Sequence, residues 1–165
     1  MVSLQFSSDD IFEIAGQIER NGAAFYRQAS KRFSDASVSD KLLGLAAMEE
    51  EHEKTFATLR DELSVGDRPA LTFDPDNEAA LFLQSVADGA VFDLKADPSE
   101  FVSEGVTIEE ILKKAVGLEK DSIVFYAGMM EMVSTNMGKG KINGIIKEEI
   151  GHILILSKQL ATLYT

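Results

Sequence analysis

The feature that most limits the fold of this chain is an internal repeat, in which residues one hundred positions apart coincide without a gap. The pairs that stand out are Glu19/Glu119, Phe25/Phe125, Tyr26/Tyr126, Glu49/Glu149 and His52/His152. The two histidines are the only ones in the chain, and each follows a glutamate by three positions. The rest of the two halves matches only loosely. Any fold proposed for the chain must therefore give both halves the same local structure and place these residues in similar surroundings.

The chain is predicted to be all-α, with one antiparallel pair of helices in each half. The first pair covers about 8–63 and the second about 107–163, because apolar residues recur there at helical spacing behind capping residues. In the first pair we expect one helix to end near Phe33 and the next to begin near Ser39. In the second pair, residues 136–140 predict a turn because they contain two glycines and an asparagine.

A long crossover of about 64–106 joins the two helix pairs. It holds all three prolines of the chain, and Asp74 followed by Pro75 predicts the start of a short helix that runs to about Phe92. With 165 residues and 45% hydrophobic content, the chain can build one sizeable core, so 1–165 is predicted to be a single domain. Two helix pairs joined by one long connection predict a four-helix bundle.

The four repeated glutamates lie in the middle of apolar helix faces. Residues three, four and seven positions apart share one face of a helix. By this spacing Glu149 shares its face with Ile142 and Leu156, whereas its neighbour Glu148 shares a face with Lys141 and is predicted to be solvated. Burying four unpaired carboxylates would cost roughly several kcal/mol each or force them to take up protons. A compensating cation is therefore expected.

Two divalent ions would balance four carboxylates if both imidazoles are neutral. The mixture of oxygen and nitrogen donors favours iron, with manganese as the alternative, because calcium avoids imidazole and structural zinc prefers a closed tetrahedral shell. A glutamate and a histidine three positions apart lie on the same side of a helix, so both can reach one ion. The predicted ligands are Glu19, Glu49, His52, Glu119, Glu149 and His152.

Composition excludes several other kinds of protein. The absence of cysteine rules out disulfide frameworks, thiol catalysis and thiolate-bound metal. A net charge of -12 would repel phosphate backbones and anionic lipids, so neither nucleic acid nor a membrane is an expected partner. The first ten residues lack the basic region and the apolar region that a secretory signal peptide has. Nowhere do about 18 apolar residues follow one another, as a transmembrane helix requires. A cytoplasmic location is therefore predicted.

On these residues the chain resembles the rubrerythrin family of ferritin-like di-iron carboxylate proteins over essentially its whole length. The motifs that carry the resemblance are Glu19 with Phe25-Tyr26, Glu49-Glu50-Glu51-His52, Glu119 with Phe125-Tyr126, and Glu149-Ile150-Gly151-His152. Such bundles take one glutamate from each of two helices and a Glu-x-x-His from each of the other two. The resemblance implies a ferritin-like bundle with two iron ions, at which the six ligands act through the metals to reduce hydrogen peroxide or dioxygen.

Two departures from the family set this chain apart. It has no cysteine-ligated rubredoxin module, so its electron donor must be a separate protein, and Ser122 stands where the family tends to carry a further glutamate one turn after Glu119. Glu53 is a candidate for that extra carboxylate, although a position behind the ligands or at the rim of the site is favoured. Tyr26 and Tyr126 are expected either to hydrogen-bond metal-bound carboxylates or to be core tyrosines with other partners.

Three functions are compatible with these residues. The first is an oxidoreductase that acts on peroxide or dioxygen, which we expect to be a homodimer. The second is iron binding, storage or ferrous oxidation without peroxidase turnover, for which a 24-subunit shell would be expected. The third is a structural bundle that retains a vestigial site, and the intact set of six ligands argues against it.

Overall fold

The computed structural model describes residues 8–65, 81–82, 85, 97–133 and 136–165, and these residues form helices and no strand. The predicted all-α class is confirmed. The helices are α1 (Ser8–Ser30), α2 (Ala36–Val65), α3 (Ile108–Met132) and α4 (Asn136–Thr162), with a short 3-10 helix at Pro98–Phe101 before α3. None of the helices within the described ranges is long and apolar enough to cross a membrane.

The connection between α1 and α2 lies three residues earlier in the chain than the sequence predicts, at 31–35. α1 ends at Ser30, and the chain then turns through the backbone hydrogen bond from Arg32 N to Ala29 O at 2.9 Å. α2 begins at Ala36 because the Asp35 carboxylate accepts a hydrogen bond from Ser37 N at 2.8 Å, so this aspartate caps the helix.

The second helix pair shows one predicted boundary that is right and one that is wrong. Thr107 and Glu110 form the predicted capping box of α3, in which each side chain accepts a hydrogen bond from the backbone of the other residue. The predicted turn at residues 136–140, by contrast, is the first part of α4. Gly138 is buried there, and packing outweighs the low helix propensity of glycine, which is only a weak guide to local structure.

The crossover lies largely outside the described residues, and so does most of its predicted helix. Leu81, Phe82 and Ser85 are described and are helical. The ring of Phe82 stacks on that of Phe125 at 6.4 Å between centroids. Gly128 makes this approach possible, because a Cβ atom at that position would lie 2.8 Å from the Phe82 ring.

The helices pack as two antiparallel pairs, α1 with α2 and α3 with α4, and the pairs meet through contacts of α1 with α3 and of α2 with α4. Ion pairs show the direction of the first pair. Arg60 near the end of α2 binds Asp9 near the start of α1 at 2.6 Å, and Glu53, earlier in α2, binds Arg20, later in α1, at 2.9 Å.

Two apolar clusters form the core, and the internal repeat relates them. One cluster contains Ile11, Phe12, Ala15, Phe56, Leu59, Phe125, Tyr126, Met129, Val133, Ile142, Ile145 and Ile146. The other contains Phe25, Tyr26, Ala29, Leu42, Leu45, Ala46, Ile111, Leu112, Ala115 and Leu156. Every member of the second cluster has its counterpart, one hundred positions away, in the first. The bundle is therefore close to twofold symmetric, and each cluster draws on all four helices.

Candidate metal centre

The six side chains predicted as ligands come together in the middle of the bundle. Along every helix they stand between residues of one apolar cluster and residues of the other. The contributions are Glu19 from α1, Glu49 and His52 from α2, Glu119 from α3, and Glu149 and His152 from α4. All six are buried, with between 0% and 4% of their surface exposed.

These side chains form two overlapping groups of four. The ligand atoms of the first group all lie within 4.8 Å of one another and come from Glu19, Glu49, His52 and Glu149. The second group meets the same limit and consists of Glu49, Glu119, Glu149 and His152. Glu49 and Glu149 thus belong to both groups, while each group has one further glutamate and one histidine of its own.

Both imidazoles direct their Nδ1 atoms towards the carboxylates. His52 Nδ1 lies 3.2 Å from Glu149 Oε1 and 3.4 Å from Glu19 Oε2. His152 Nδ1 lies 2.9 Å from Glu149 Oε2 and 3.1 Å from Glu49 Oε1. The two rings are stacked with their centroids 5.8 Å apart, so each histidine serves one group and faces the other across the centre.

The two tyrosines of the repeat hydrogen-bond across the bundle. Tyr26 on α1 donates its hydroxyl hydrogen to Glu119 Oε1 on α3, and Tyr126 on α3 donates to Glu19 Oε1 on α1. Burial raises the pKa of both phenols well above the ordinary value, with neighbouring carboxylate charge as the next cause, so both remain protonated donors. Each tyrosine holds the glutamate of the opposite half.

Several buried polar atoms at the centre make no well-aligned hydrogen bond within the described part of the chain, although the imidazole Nδ1 atoms lie close to carboxylate oxygens. They are Glu19 Oε2, Glu49 Oε1, both carboxylate oxygens of Glu149, Nδ1 of His52, and both ring nitrogens of His152. Buried polar atoms are normally satisfied, because leaving one unpaired costs about 1–3 kcal/mol. Carboxylate oxygens and imidazole nitrogens are the donors that iron and manganese accept. The residues present therefore fit two such ions.

The pKa values show the charge imbalance of these groups without a metal. Burial raises the pKa of Glu19, and it raises those of Glu49 and Glu119 well above the ordinary value. Burial would also raise the pKa of Glu149, but the adjacent imidazoles of His152 and His52 lower it to about 2. Protons thus take the place of cations among these carboxylates.

The imidazoles respond in the opposite sense. Burial would lower their pKa, but the nearby carboxylates outweigh burial. For His52 these are Glu149 and Glu19. For His152 they are Glu119, Glu149 and Glu49. The pKa rises to about 11 for His52 and about 12 for His152. In the metal-free chain both histidines are therefore imidazolium ions at neutral pH.

Comparison with known proteins gives the fold a name. No protein-family model and no curated protein matches the sequence. Among solved structures, the chain is similar to a protein from Thermotoga maritima that was proposed to be a ferritin-like diiron-carboxylate protein. The TM-score is 0.74 at 23% identity, and the match covers 95% of this chain and 96% of the other. The fold is ferritin-like. The predicted ferritin-like four-helix bundle is thereby confirmed, whereas the narrower resemblance to rubrerythrins stays a prediction.

Two further residues singled out in the sequence do not join the groups of ligands in this ferritin-like bundle. Glu53 accepts a hydrogen bond from Arg20 Nη1 at 2.9 Å, and a third of its side chain is exposed, so it lies at the rim of the centre. Ser122 is buried, and its hydroxyl donates to the Leu118 carbonyl of its own helix at 3.0 Å. Neither residue therefore adds a carboxylate to either group of four ligands.

Glu148 is the residue whose place the sequence did not reveal. It was predicted to be solvated, and 53% of its side chain is exposed, but its Oε2 lies 2.8 Å from Nε2 of His52. The internal repeat does not mark Glu148, because the position one hundred residues earlier holds methionine. Its role follows from the antiparallel packing of α2 and α4, which places position 148 beside position 52.

Gly22 provides space for a shared carboxylate and leads to a first prediction. A Cβ atom at this position would lie 3.2 Å from Glu49 Oε2, which is tighter than ordinary contact. We therefore expect Gly22→Ala to displace Glu49 and to weaken metal binding about tenfold, as loss of a supporting contact does. Isothermal titration of the metal-free protein with ferrous ion measures this.

Gly117→Ala on α3 is the matched control for that change. Among the described residues, no atom beyond the neighbouring helix backbone lies within 4 Å of the added methyl group, so this variant should gain up to about 1 kcal/mol of helix stability and bind metal as the parent does. Equal metal affinity in both variants would contradict the role assigned to Gly22.

Proposed function

We propose that this chain is a dinuclear iron protein of rubrerythrin-like type that reduces hydrogen peroxide or dioxygen. The ligands are Glu19, Glu49, His52, Glu119, Glu149 and His152, with manganese as the alternative metal. The overlap of the two groups of four at Glu49 and Glu149 carries the proposal. A carboxylate common to both positions can join two ions, and two ions close together are suited to two-electron chemistry.

The composition of the two groups supports a pair of ions rather than one. Each position has four ligand atoms from the chain, and divalent iron accepts more than four, so positions remain for a small substrate. Four carboxylates and two neutral imidazoles balance two divalent ions, and no lysine or arginine is buried among the described residues to take the place of those ions. The charge of the bound ions would replace the protons that the metal-free centre holds.

Burial restricts the substrate. All six ligand residues are at most 4% exposed, and the chain carries a net charge of -12. Large substrates cannot approach such a centre, and anions are repelled by the surface. Hydrogen peroxide and dioxygen are small and neutral, so both meet these limits.

Two bound ferrous ions would supply one electron each on oxidation to the ferric state. Two electrons, together with two protons from water, are what one hydrogen peroxide needs to become two waters. The chain's own residues hold the geometry for this reaction. The phenol of Tyr126 hydrogen-bonds Glu19, and that of Tyr26 hydrogen-bonds Glu119. Each of these glutamates serves only one metal position, and its tyrosine keeps it in a fixed orientation. The apolar clusters on either side exclude bulk water from the centre.

Stopped-flow mixing of anaerobic, ferrous-loaded protein with hydrogen peroxide tests the proposal. We expect one peroxide to oxidise two ferrous ions per chain, much faster than free ferrous ion reacts under the same conditions. Glu119→Gln removes a ligand from one position only, and it should abolish the two-electron reaction while one ion stays bound. Glu51→Gln on the exposed side of α2 is the control and should react as the parent does.

Two outcomes would point elsewhere. A rate no faster than that of free ferrous ion would overturn the peroxidase proposal. Continued oxidation of excess ferrous ion by dioxygen, with the ferric product retained by a large shell, would favour iron storage instead. A separate electron-donor protein and a homodimeric state are part of the proposal, and sizing chromatography of the full chain tests the second.

A further inference from the structure

The two halves of the centre differ behind their histidines. His52 Nδ1 faces the carboxylates, and its other ring nitrogen, Nε2, lies 2.8 Å from Glu148 Oε2. His152 also presents Nδ1 to the carboxylates, but its Nε2 is buried and has no hydrogen-bond partner among the described residues. Among the described residues, the far nitrogen of His52 therefore has a carboxylate partner, and that of His152 has none.

The internal repeat identifies the residue responsible for this difference. Exchanging the two halves of the bundle converts the pair formed by positions 52 and 148 into a pair formed by 152 and 48. Position 48 holds methionine, which is 36% exposed. A thioether is only a weak hydrogen-bond acceptor, so Met48 cannot do for His152 what Glu148 does for His52. Every core residue of the second cluster has an apolar counterpart in the first. The difference between Met48 and Glu148 is therefore not part of a general loss of the repeat.

A carboxylate behind a ligating imidazole has a defined effect on metal binding. It fixes the tautomer that carries hydrogen on the far nitrogen, it orients the ring, and it makes the near nitrogen a stronger donor. Loss of such a partner typically weakens metal binding about 10- to 100-fold. Glu148 can take this role because its side chain, which is 53% exposed, reaches His52 Nε2 from the surface of α4 at 2.8 Å.

We propose that the two metal positions fill in order, and that Glu148 is the positioning residue that sets the order. The position formed by Glu19, Glu49, His52 and Glu149 fills first, and the position formed by Glu49, Glu119, Glu149 and His152 fills second. This inference rests on the proposed dinuclear centre and extends it, because a symmetric set of ligands becomes one tight and one weaker position. The second ion is then the one that is gained and lost as the supply of metal changes.

Anaerobic isothermal titration of the metal-free full chain with ferrous ion alone tests the order. We expect two binding steps in the parent, separated by about 10- to 100-fold in affinity. Glu119→Gln should keep the tight step and lose the weak one, whereas Glu19→Gln should lose the tight step. Two steps of equal affinity would overturn the inference while leaving the dinuclear centre intact, and no stoichiometric binding at all would overturn the proposed function itself.

Variants at positions 148 and 48 test the positioning residue. Glu148→Met should weaken the tight step about 10- to 100-fold, and Met48→Glu should strengthen the weak step. The double exchange, Glu148→Met with Met48→Glu, should restore two separated steps with the opposite assignment, which a general loss of structure would not do. Glu51→Gln removes one exposed negative charge from α2 and is the control for long-range electrostatics. If Glu148→Met changes the steps no more than Glu51→Gln does, Glu148 does not set the order.

Discussion

Excess ferrous ion is expected to raise the melting temperature of the metal-free protein by about 10–20 °C. Metal that binds only the folded chain stabilises it by about 2.7 kcal/mol per site when its free concentration is one hundred times the dissociation constant. Two sites give roughly twice that, and about 2–4 °C per kcal/mol is typical for a domain of this size. The buried atoms without hydrogen-bond partners are the physical reason for so large an effect. Differential scanning calorimetry under anaerobic conditions measures it.

The ligand groups predict how single changes divide this stabilisation. Glu149 belongs to both groups, so Glu149→Gln should abolish nearly the whole shift. Glu119 belongs to one group, that of the weaker position, so Glu119→Gln should keep more than half of it. Glu51 lies on the surface of α2 with Lys54, and Glu51→Gln should keep all of it. Equal losses in the Glu149 and Glu119 variants would contradict the shared position of Glu149.

The repeat made most of the fold and all six candidate ligands predictable from the sequence. Residues that coincide across one hundred positions must lie in equivalent surroundings, and helical spacing then places the four glutamates on apolar faces. In the structure, the repeat includes more positions than those at which the two halves carry identical residues. Pairs such as Ala29 with Met129 and Phe56 with Leu156 are equivalent in the core although they differ in identity. Burial keeps their apolar character but not their shape, so a search for identical residues passes over them.

Features that depend on packing between helices were not predictable in the same way. The crossed hydrogen bonds of Tyr26 and Tyr126 require α1 and α3 to lie side by side, and the repeat alone does not state which helices are neighbours. Glu148 has a charged residue on its own helix face, so helical spacing assigned it to solvent, and only its contact with His52 across α2 and α4 reveals another role. Local spacing reports the face of a helix, whereas partners on other helices follow from the assembled bundle.

The variant Glu49→Leu is expected to make the metal-free protein more stable, by about 1–3 kcal/mol. Burial raises the pKa of Glu49 well above the ordinary value, so its carboxyl favours the protonated form, and its Oε1 atom has no hydrogen-bond partner among the described residues. Leucine fills a volume close to that of glutamate and leaves no polar atom unpaired at this position. Glu149, whose pKa is lowered to about 2, remains as the carboxylate next to the imidazolium ions of His52 and His152.

Urea unfolding in the presence of a chelator measures this difference as a change in midpoint at constant slope. The same variant should show no stabilisation when ferrous ion is added, so the loaded parent should remain the more stable of the two. Glu51→Leu, which changes an exposed glutamate of α2, is the control and should alter stability by no more than about 0.5 kcal/mol. A metal-free Glu49→Leu variant less stable than the parent would mean that this shared carboxyl group stabilises the bundle by itself. A more stable one would mean that the bundle retains it at a cost to its own stability, as sites kept for binding or catalysis commonly are.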